Sequence, residues 1–353
     1  MRAIVVALAA VSLLLAQQPR LTNAKIDTRV VASGLDREFH SIVSGEAGPA
    51  WIGYAVRAVP GEHQMCCYSS FEDGAGNRCC RGCALGSGRA EVTVSNTQAP
   101  VSLESAGYIF VLFRMEQHAV DRIRTFSADC ELDGGGLPVH WFTGVPAAES
   151  VALLSSFATQ TDAEHRQNEA AITAIALHAD PAADMALEKM VAPGQPDSLR
   201  EKATFWLGNA RGHHGFEVLR RIVKEDTSDR VRDKAVFGLS ISKEPEAVGV
   251  MIDVAKNDRS SHVRSQALFW LAHKAGEKAA ATITAAIEND PDTEVKKRAV
   301  FALQQLPADE GVPLLIQVAR TNKNPAVRKQ AMFWLGQSND PRAVRFFEEV
   351  LLR

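Results

Sequence analysis

LREKATFWL (199–207), VRDKAVFGL (231–239), VRSQALFWL (263–271), VKKRAVFAL (295–303) and VRKQAMFWL (327–335) are one block written five times at a constant offset of 32, without insertion. The first, fifth, eighth and ninth positions fall on one side of a helix. The fifth is Ala and the ninth is Leu in every copy, a small contact and a large one. One step back, residues 167–175 keep the pattern through Ala171 and Ile175 but carry Thr173 in place of Phe, as a degenerate terminal repeat does. An amphipathic segment precedes each block, for example Pro245–Asn257 with Val248, Met251, Ile252 and Ala255 on a stripe. A hairpin of two such helices cannot bury its apolar faces alone, and stacked copies can. The spacing therefore predicts an α-solenoid over 146–353, with clear repeats from about 167.

A second column steps with the first. Asp226, Asp258, Asp290 and Asn322 each lie six residues before a basic residue, Arg232, Arg264, Lys296 and Arg328, and Arg200 opens that basic series. An acidic or amide side chain in the inter-helix turn can cap the second helix, and the cation can reach a carboxylate of its own or the adjacent repeat. This reads as a structural ladder.

The V-R-x-x-A-x-x-x-L block with its upstream Asp resembles the HEAT repeat, specifically the short HEAT-like repeats of phycobilisome lyases. The resemblance covers roughly half the chain. It implies a right-handed solenoid whose second helices line the concave face, and scaffolding more often than chemistry. Deoxyhypusine hydroxylases share the architecture and bind iron through repeated His-Glu pairs, but no His-Glu dipeptide occurs here. Bilin lyases act on cytoplasmic partners, so their activity is not carried over to a chain with an export signal.

Position seven is Phe in all five blocks: Phe205, Phe237, Phe269, Phe301 and Phe333. Position eight alternates Trp206, Gly238, Trp270, Ala302, Trp334. Such a column either stacks within the core or rims a groove for a protein or peptide partner.

The front half reads differently. Arg2 followed by the apolar run Ala3–Ala16 has the form of a secretory signal, too short for a membrane span of about 20 residues, with cleavage after Ala16 or as late as Ala24. No later stretch is apolar enough to span a bilayer, so no membrane association is expected after cleavage, and the location is periplasmic or extracellular. Residues 25–145 read as a small β-rich domain: Trp51–Ala58, Glu91–Val94, Tyr108–Phe113 and Arg122–Phe126 have strand character, and Asp133–Pro138 is a turn. All six cysteines, Cys66, Cys67, Cys79, Cys80, Cys83 and Cys130, fall in this domain, and in an exported chain they read as disulfides of undetermined pairing. His63, Cys66, Cys80 and Cys83 also imitate a zinc site, or a thiol-redox centre.

The fold class expected is thus multidomain α+β: a disulfide-stapled β-rich domain followed by an all-α solenoid. From Leu199 onward there are 25 Lys and Arg against 20 Asp and Glu, and residues 1–198 carry 14 against 22. The basic excess is too small to argue for nucleic acid. No nucleophile elbow, phosphate loop or dinucleotide fingerprint is present. His213-His214 reads as a solvated loop, and His140-Trp141 follows a Gly-rich turn. The function expected is an exported non-enzymatic scaffold without a cofactor that grips a protein or peptide in the concave face of the solenoid. The alternative is a zinc-binding or thiol-redox module, or an enzyme, centred on the His63–Cys83 cluster.

Overall fold

The computed structural model describes residues 19–61, 83–85, 107–128, 130–160 and 165–352. The chain divides into two compact units, 1–189 and 190–353. The signal segment before residue 19, the expected strand at Glu91–Val94, and His63, Cys66, Cys67, Cys79 and Cys80 lie outside the described residues.

In the first unit, β1 is Arg20–Thr22, β2 Lys25–Val30, β3 Ala50–Arg57, β4 Cys83–Ala84, β5 Tyr108–Glu116, β6 Ala119–Ser127, β7 Glu131–Asp133 and β8 Pro138–Thr143. A five-stranded sheet runs β2-β8-β3-β5-β6, parallel across β2, β8 and β3 and antiparallel across β3, β5 and β6. A smaller parallel sheet has the order β1-β7-β4. The β5–β6 hairpin turns through Gln117 and His118, both at positive φ (52° and 61°), the geometry of a tight primed turn.

β5 shows no polar alternation because both its faces are covered. Phe110 and Leu112 join Trp51, Trp141, Leu85, Leu132 and Cys130 in one cluster. Phe113 meets Phe39 and Phe157 at ring distances of 4.8 and 5.7 Å. Gly53 is required here: a Cβ would sit 2.7 Å from the Trp141 ring. Phe39 belongs to α1 (Leu35–Gly45). Its buried residues Leu35, Phe39, Ile42 and Val43 follow helical spacing, and the Leu35 amide donates to the Glu149 carboxylate at 2.6 Å. The domain is therefore not purely β-rich. It also includes α2 (Ala147–Ala158) and α3 (His165–Leu177), the latter joined to the end of β3 by Val59 N–H to Leu177 O and Ala179 N–H to Arg57 O, both 2.9 Å.

After α4 (Pro181–Val191), the second unit is a regular stack. The quoted blocks form α5 (Asp197–Ala210), α7 (Asp229–Ile241), α9 (Ser261–Ala275), α11 (Thr293–Gln304) and α13 (Pro325–Gly336). Between them run α6 (Gly212–Glu225), α8 (Ala247–Asn257), α10 (Glu277–Asn289) and α12 (Ala308–Thr321), and α14 (Pro341–Leu351) follows α13. The buried residues of α8 are Ala247, Met251, Val254 and Ala255, so the stripe expected through Val248 and Ile252 is rotated, and those two are half-buried. His213 and His214 lie in the first turn of α6, not in a loop.

The block helices pack directly on their counterparts in the next repeat, more closely than the intervening helices do on theirs. The block helices thus form one continuous layer of the stack. Small residues set the approach: a Cβ on Gly208 would lie 2.3 Å from the Gly238 carbonyl oxygen.

Candidate partner-binding face

Positions one, five and nine of each block are turned into the stack: Val231, Ala235 and Leu239 are fully buried, as are their counterparts Val263, Ala267 and Leu271. Position six completes that side, with Val236, Leu268 and Val300 buried. Position eight departs from expectation. Gly238 and Ala302 are buried, but Trp206, Trp270 and Trp334 are only half-buried. The seam between neighbouring block helices is too narrow for an indole, so each Trp lies at its edge beside the Phe column.

The Phe column is likewise at the edge. Phe205, Phe237, Phe269 and Phe301 are half-buried, and Phe333 is 54% exposed. Phe205 stacks on Phe237 at 6.0 Å, and Phe269 on Phe301 at 5.8 Å, with interplanar angles of 18° and 9°. Between the stacks, Trp270 meets Phe237 at 4.7 Å and Phe269 at 4.9 Å. Trp334 does the same for Phe301 and Phe333, at 4.9 Å each, and Trp206 meets Phe205 at 5.2 Å. All five blocks are thus threaded by one continuous line of rings, with a true period of two repeats. Gly238 and Ala302 leave room for the Phe pairs to stack, and the Trp residues bridge between pairs.

Polar groups flank this line. A cavity of about 410 Å³ opens beside Phe269 and Phe301, lined by Ser261, Ser265, Gln266 and Arg298 and edged by His262 and Glu294. The carboxylates along the face are engaged: Glu201 with Arg230 at 2.8 Å, Asp233 with His262 at 3.9 Å, and Glu294 with Lys297 at 2.9 Å. Burial pushes the Asp233 carboxyl above its ordinary range, against the pull of His262 and Lys234.

The charged ladder runs behind the aromatic line, between repeats. Arg200 reaches Asp226, Arg232 reaches Asp258 and Arg264 reaches Asp290, each across to the following repeat. Each acidic residue also braces its own turn: Asp226, Asp258 and Asp290 accept from the amides of Ser228, Ser260 and Asp292. The helix N-caps are the residues two further on, with Ser228, Asp292 and Asn324 accepting from main-chain amides. The ladder changes at the fourth step. Lys296 donates to the Glu288 carbonyl, Asn322 to the Glu288 carboxylate, and Arg328 to the Asn322 and Lys323 carbonyls.

In the first unit His140 lies between Asp27 (3.6 Å) and Glu46 (3.3 Å). A second polar group escaped sequence reasoning, because its members are distant in the chain. Ser150 Oγ stands 2.8 Å from both Tyr54 Oη and His178 Nε2, and His178 Nδ1 is 2.6 Å from the Ala174 carbonyl. Tyr54, Ser150 and His178 are all sealed from solvent, and burial pushes the Tyr54 hydroxyl well above its ordinary value. With no route for substrate, this chain of hydrogen bonds ties α2 and α3 to β3. Among the described residues no group of three or more His, Cys, Asp or Glu side chains is placed to hold a metal, and no helix is long and apolar enough to cross a membrane.

A stack of two-helix repeats with its small residues at the inner seam defines a helical-repeat solenoid. Residues 280–353 match the family of HEAT repeats, and the constant period of 32 carries that reading back through the earlier blocks. No curated protein matches the chain. Among solved structures, the complex of CpcE and CpcF of phycocyanin lyase from Nostoc sp. is 24% identical, with 45% of this chain and all of that one covered and a TM-score of 0.35. Human deoxyhypusine hydroxylase in complex with glycerol is 14% identical over 57% of this chain and 90% of that one, with a TM-score of 0.32. Kap121p is 12% identical over 53% of this chain and 25% of that one, with a TM-score of 0.36. At these identities and scores nothing of those proteins' activities carries over.

Proposed function

We propose that the protein is an exported, non-enzymatic scaffold whose line of Phe and Trp rings binds an extended protein segment. The observation that carries this reading is the exposure of that line. A column of five Phe residues meant only for packing belongs inside the seam, where Val, Ala and Leu already sit. Here the rings stand at its rim, beside an open cavity, over the length of five repeats. Contiguous apolar surface of this kind, edged by polar groups, is characteristic of recognition surfaces.

Export is part of the same proposal. Arg20–Thr22 pairs with Glu131–Asp133, which supports cleavage after Ala16 in preference to Ala24, since the later cut would remove a strand. The disulfide framework also belongs here. Cys130 is buried in the sheet cluster and is disulfide-bonded, while the side chains of the other five cysteines are outside the described residues.

Affinity capture from a periplasmic or culture fraction tests the reading, with wild type beside the double variant Phe237→Ser, Phe269→Ser. The expected result is a partner retained by wild type and lost by the variant, with denaturant melts showing the variant still folded. Retention of the same partner by the folded double variant overturns the proposal.

A further inference from the structure

The charge along the aromatic face is not balanced. Glu201 and Glu294 each have a cationic partner and Lys234 acts on Asp233, whereas Arg298 and Lys329 have no ion-pair partner among the described residues. Arg298 lines the cavity beside the Phe269–Phe301 stack, with the hydroxyls of Ser261 and Ser265 and the Gln266 amide around the same space. Its neighbour Glu294 does not neutralise it, because both Glu294 oxygens are taken by Lys297, at 2.9 and 3.0 Å. A guanidinium offers a fork of donors that fits a carboxylate, and the Gln266 amide can add a further donor beside it; the two hydroxyls are engaged, Ser261 with the Asp292 carboxylate and Ser265 with the Ser261 carbonyl.

We infer that the face selects acidic segments: a carboxylate side chain seats in the cavity on Arg298 while adjacent apolar or aromatic side chains lie on the Phe269–Phe301 stack. This rests on the aromatic face being a partner site and adds the chemistry of the partner. The geometry also suits an extended ligand. Packed helices stand about 8–10 Å apart, and a polyproline-type chain advances about 9 Å in three residues. A three-residue repeat therefore presents one carboxylate and one ring to each step of the stack. Lys234 and Lys329, on the second and fifth blocks, extend the positive field to both sides of Arg298.

The test uses the full chain and three blocked nonapeptides, each three repeats of Pro-Phe-Glu, Pro-Phe-Gln or Pro-Phe-Lys, with binding measured by calorimetry at two ionic strengths. The Glu peptide is expected to bind at least about tenfold more tightly than the other two, with the advantage shrinking at high salt. Arg298→Glu is expected to abolish that preference and favour the Lys peptide. Arg298 is exposed, so the variant keeps its fold, and Arg298→Gln provides a neutral control expected to lose the preference without reversing it. Equal binding of the three peptides, or a preference unchanged in Arg298→Glu, overturns the acidic selectivity and leaves the aromatic site standing. Failure of all three peptides to bind overturns the selectivity together with the site on which it rests.

Discussion

Arg232 and Asp258 are 26 residues apart in sequence and joined by two hydrogen bonds, Nε to Oδ2 at 2.9 Å and Nη2 to Oδ1 at 3.0 Å. The guanidinium also donates to the Asp226 carbonyl at 2.9 Å, so one side chain fastens the turn of its own repeat to the turn of the next. Both side chains are withdrawn from solvent, with 1% and 4% of their surface exposed.

Removing Asp258 leaves the buried guanidinium with Asp229, at 2.9 Å, as its remaining carboxylate among the described residues. Asp258→Ala is expected to destabilise the solenoid by less than the about 3–5 kcal/mol of a wholly uncompensated buried charge. The fourth step tests the same contact in reverse, because Lys296 and Asn322 make no such fork. Lys296→Arg with Asn322→Asp should stabilise more than the sum of the single changes. Urea melts of the four-member cycle measure the coupling, and strict additivity would contradict an inter-repeat fork at that step.

Two glycine substitutions should move stability in opposite directions. A Cβ at Gly208 meets backbone of the next repeat, so Gly208→Ala forces the seam open and lowers the melting temperature. Gly249 sits within α8 with nothing near the place its Cβ would occupy. Gly249→Ala should stabilise by about 0.4–1 kcal/mol. Ala267→Leu, in the same inner layer as Gly208, should cost about 1–3 kcal/mol or more. Thermal melts of the three variants decide whether the small residues set the packing distance.

The aromatic line is graded. Phe333→Ser, at a half-exposed ring, should cost less stability than Phe237→Ser, whose ring is sandwiched between Phe205 and Trp270. Trp270→Ala should cost less than the about 3–5 kcal/mol of a fully buried aromatic, since its indole lies at the rim. Equal and large losses at all three sites, read from denaturant melts, would return the line to the core.

Asp340 caps α14, accepting from the Arg342 amide at 2.8 Å, and the Arg342 guanidinium beside it holds its carboxyl down at about 2. A carboxyl depressed in the folded state contributes stability above its ordinary value of 3.8 and loses it as pH falls through the folded value. The docking of α14 is therefore expected to weaken between about pH 4 and pH 2. Asp340→Asn keeps a cap without a titrating group and should flatten that part of the acid profile, followed through the α14 amide resonances.

Reductant should separate the units. The solenoid has no cysteine, so its melt is expected to be unchanged, while the unit containing Cys130 should melt at lower temperature. A shift of the helical transition on reduction would contradict that segregation.

The sequence by itself determined the repeat length, the identity of the block helices and the small and large columns that face inward, because these are local periodicities copied five times. A further column was equally readable: Gly215, Ala247, Ala279, Gly311 and Ala343 step by 32 and stay small where each intervening helix crosses its neighbour. Gly215 and Gly311 make this visible, since a Cβ on either would strike the carbonyl of Leu207 or Leu303. Only the tertiary structure decided where the rings stand. Positions seven and eight point about 100° apart around the helix, and whether an indole enters the seam or rides its rim depends on how closely the next helix approaches, a distance set at the first seam by Gly208 and Gly238 together. The same holds for Tyr54, Ser150 and His178, whose hydrogen bonds exist only once a strand and two distant helices have packed. Periodicity names which side chains share a face, and the spacing between packed elements determines which of them is left open to a partner.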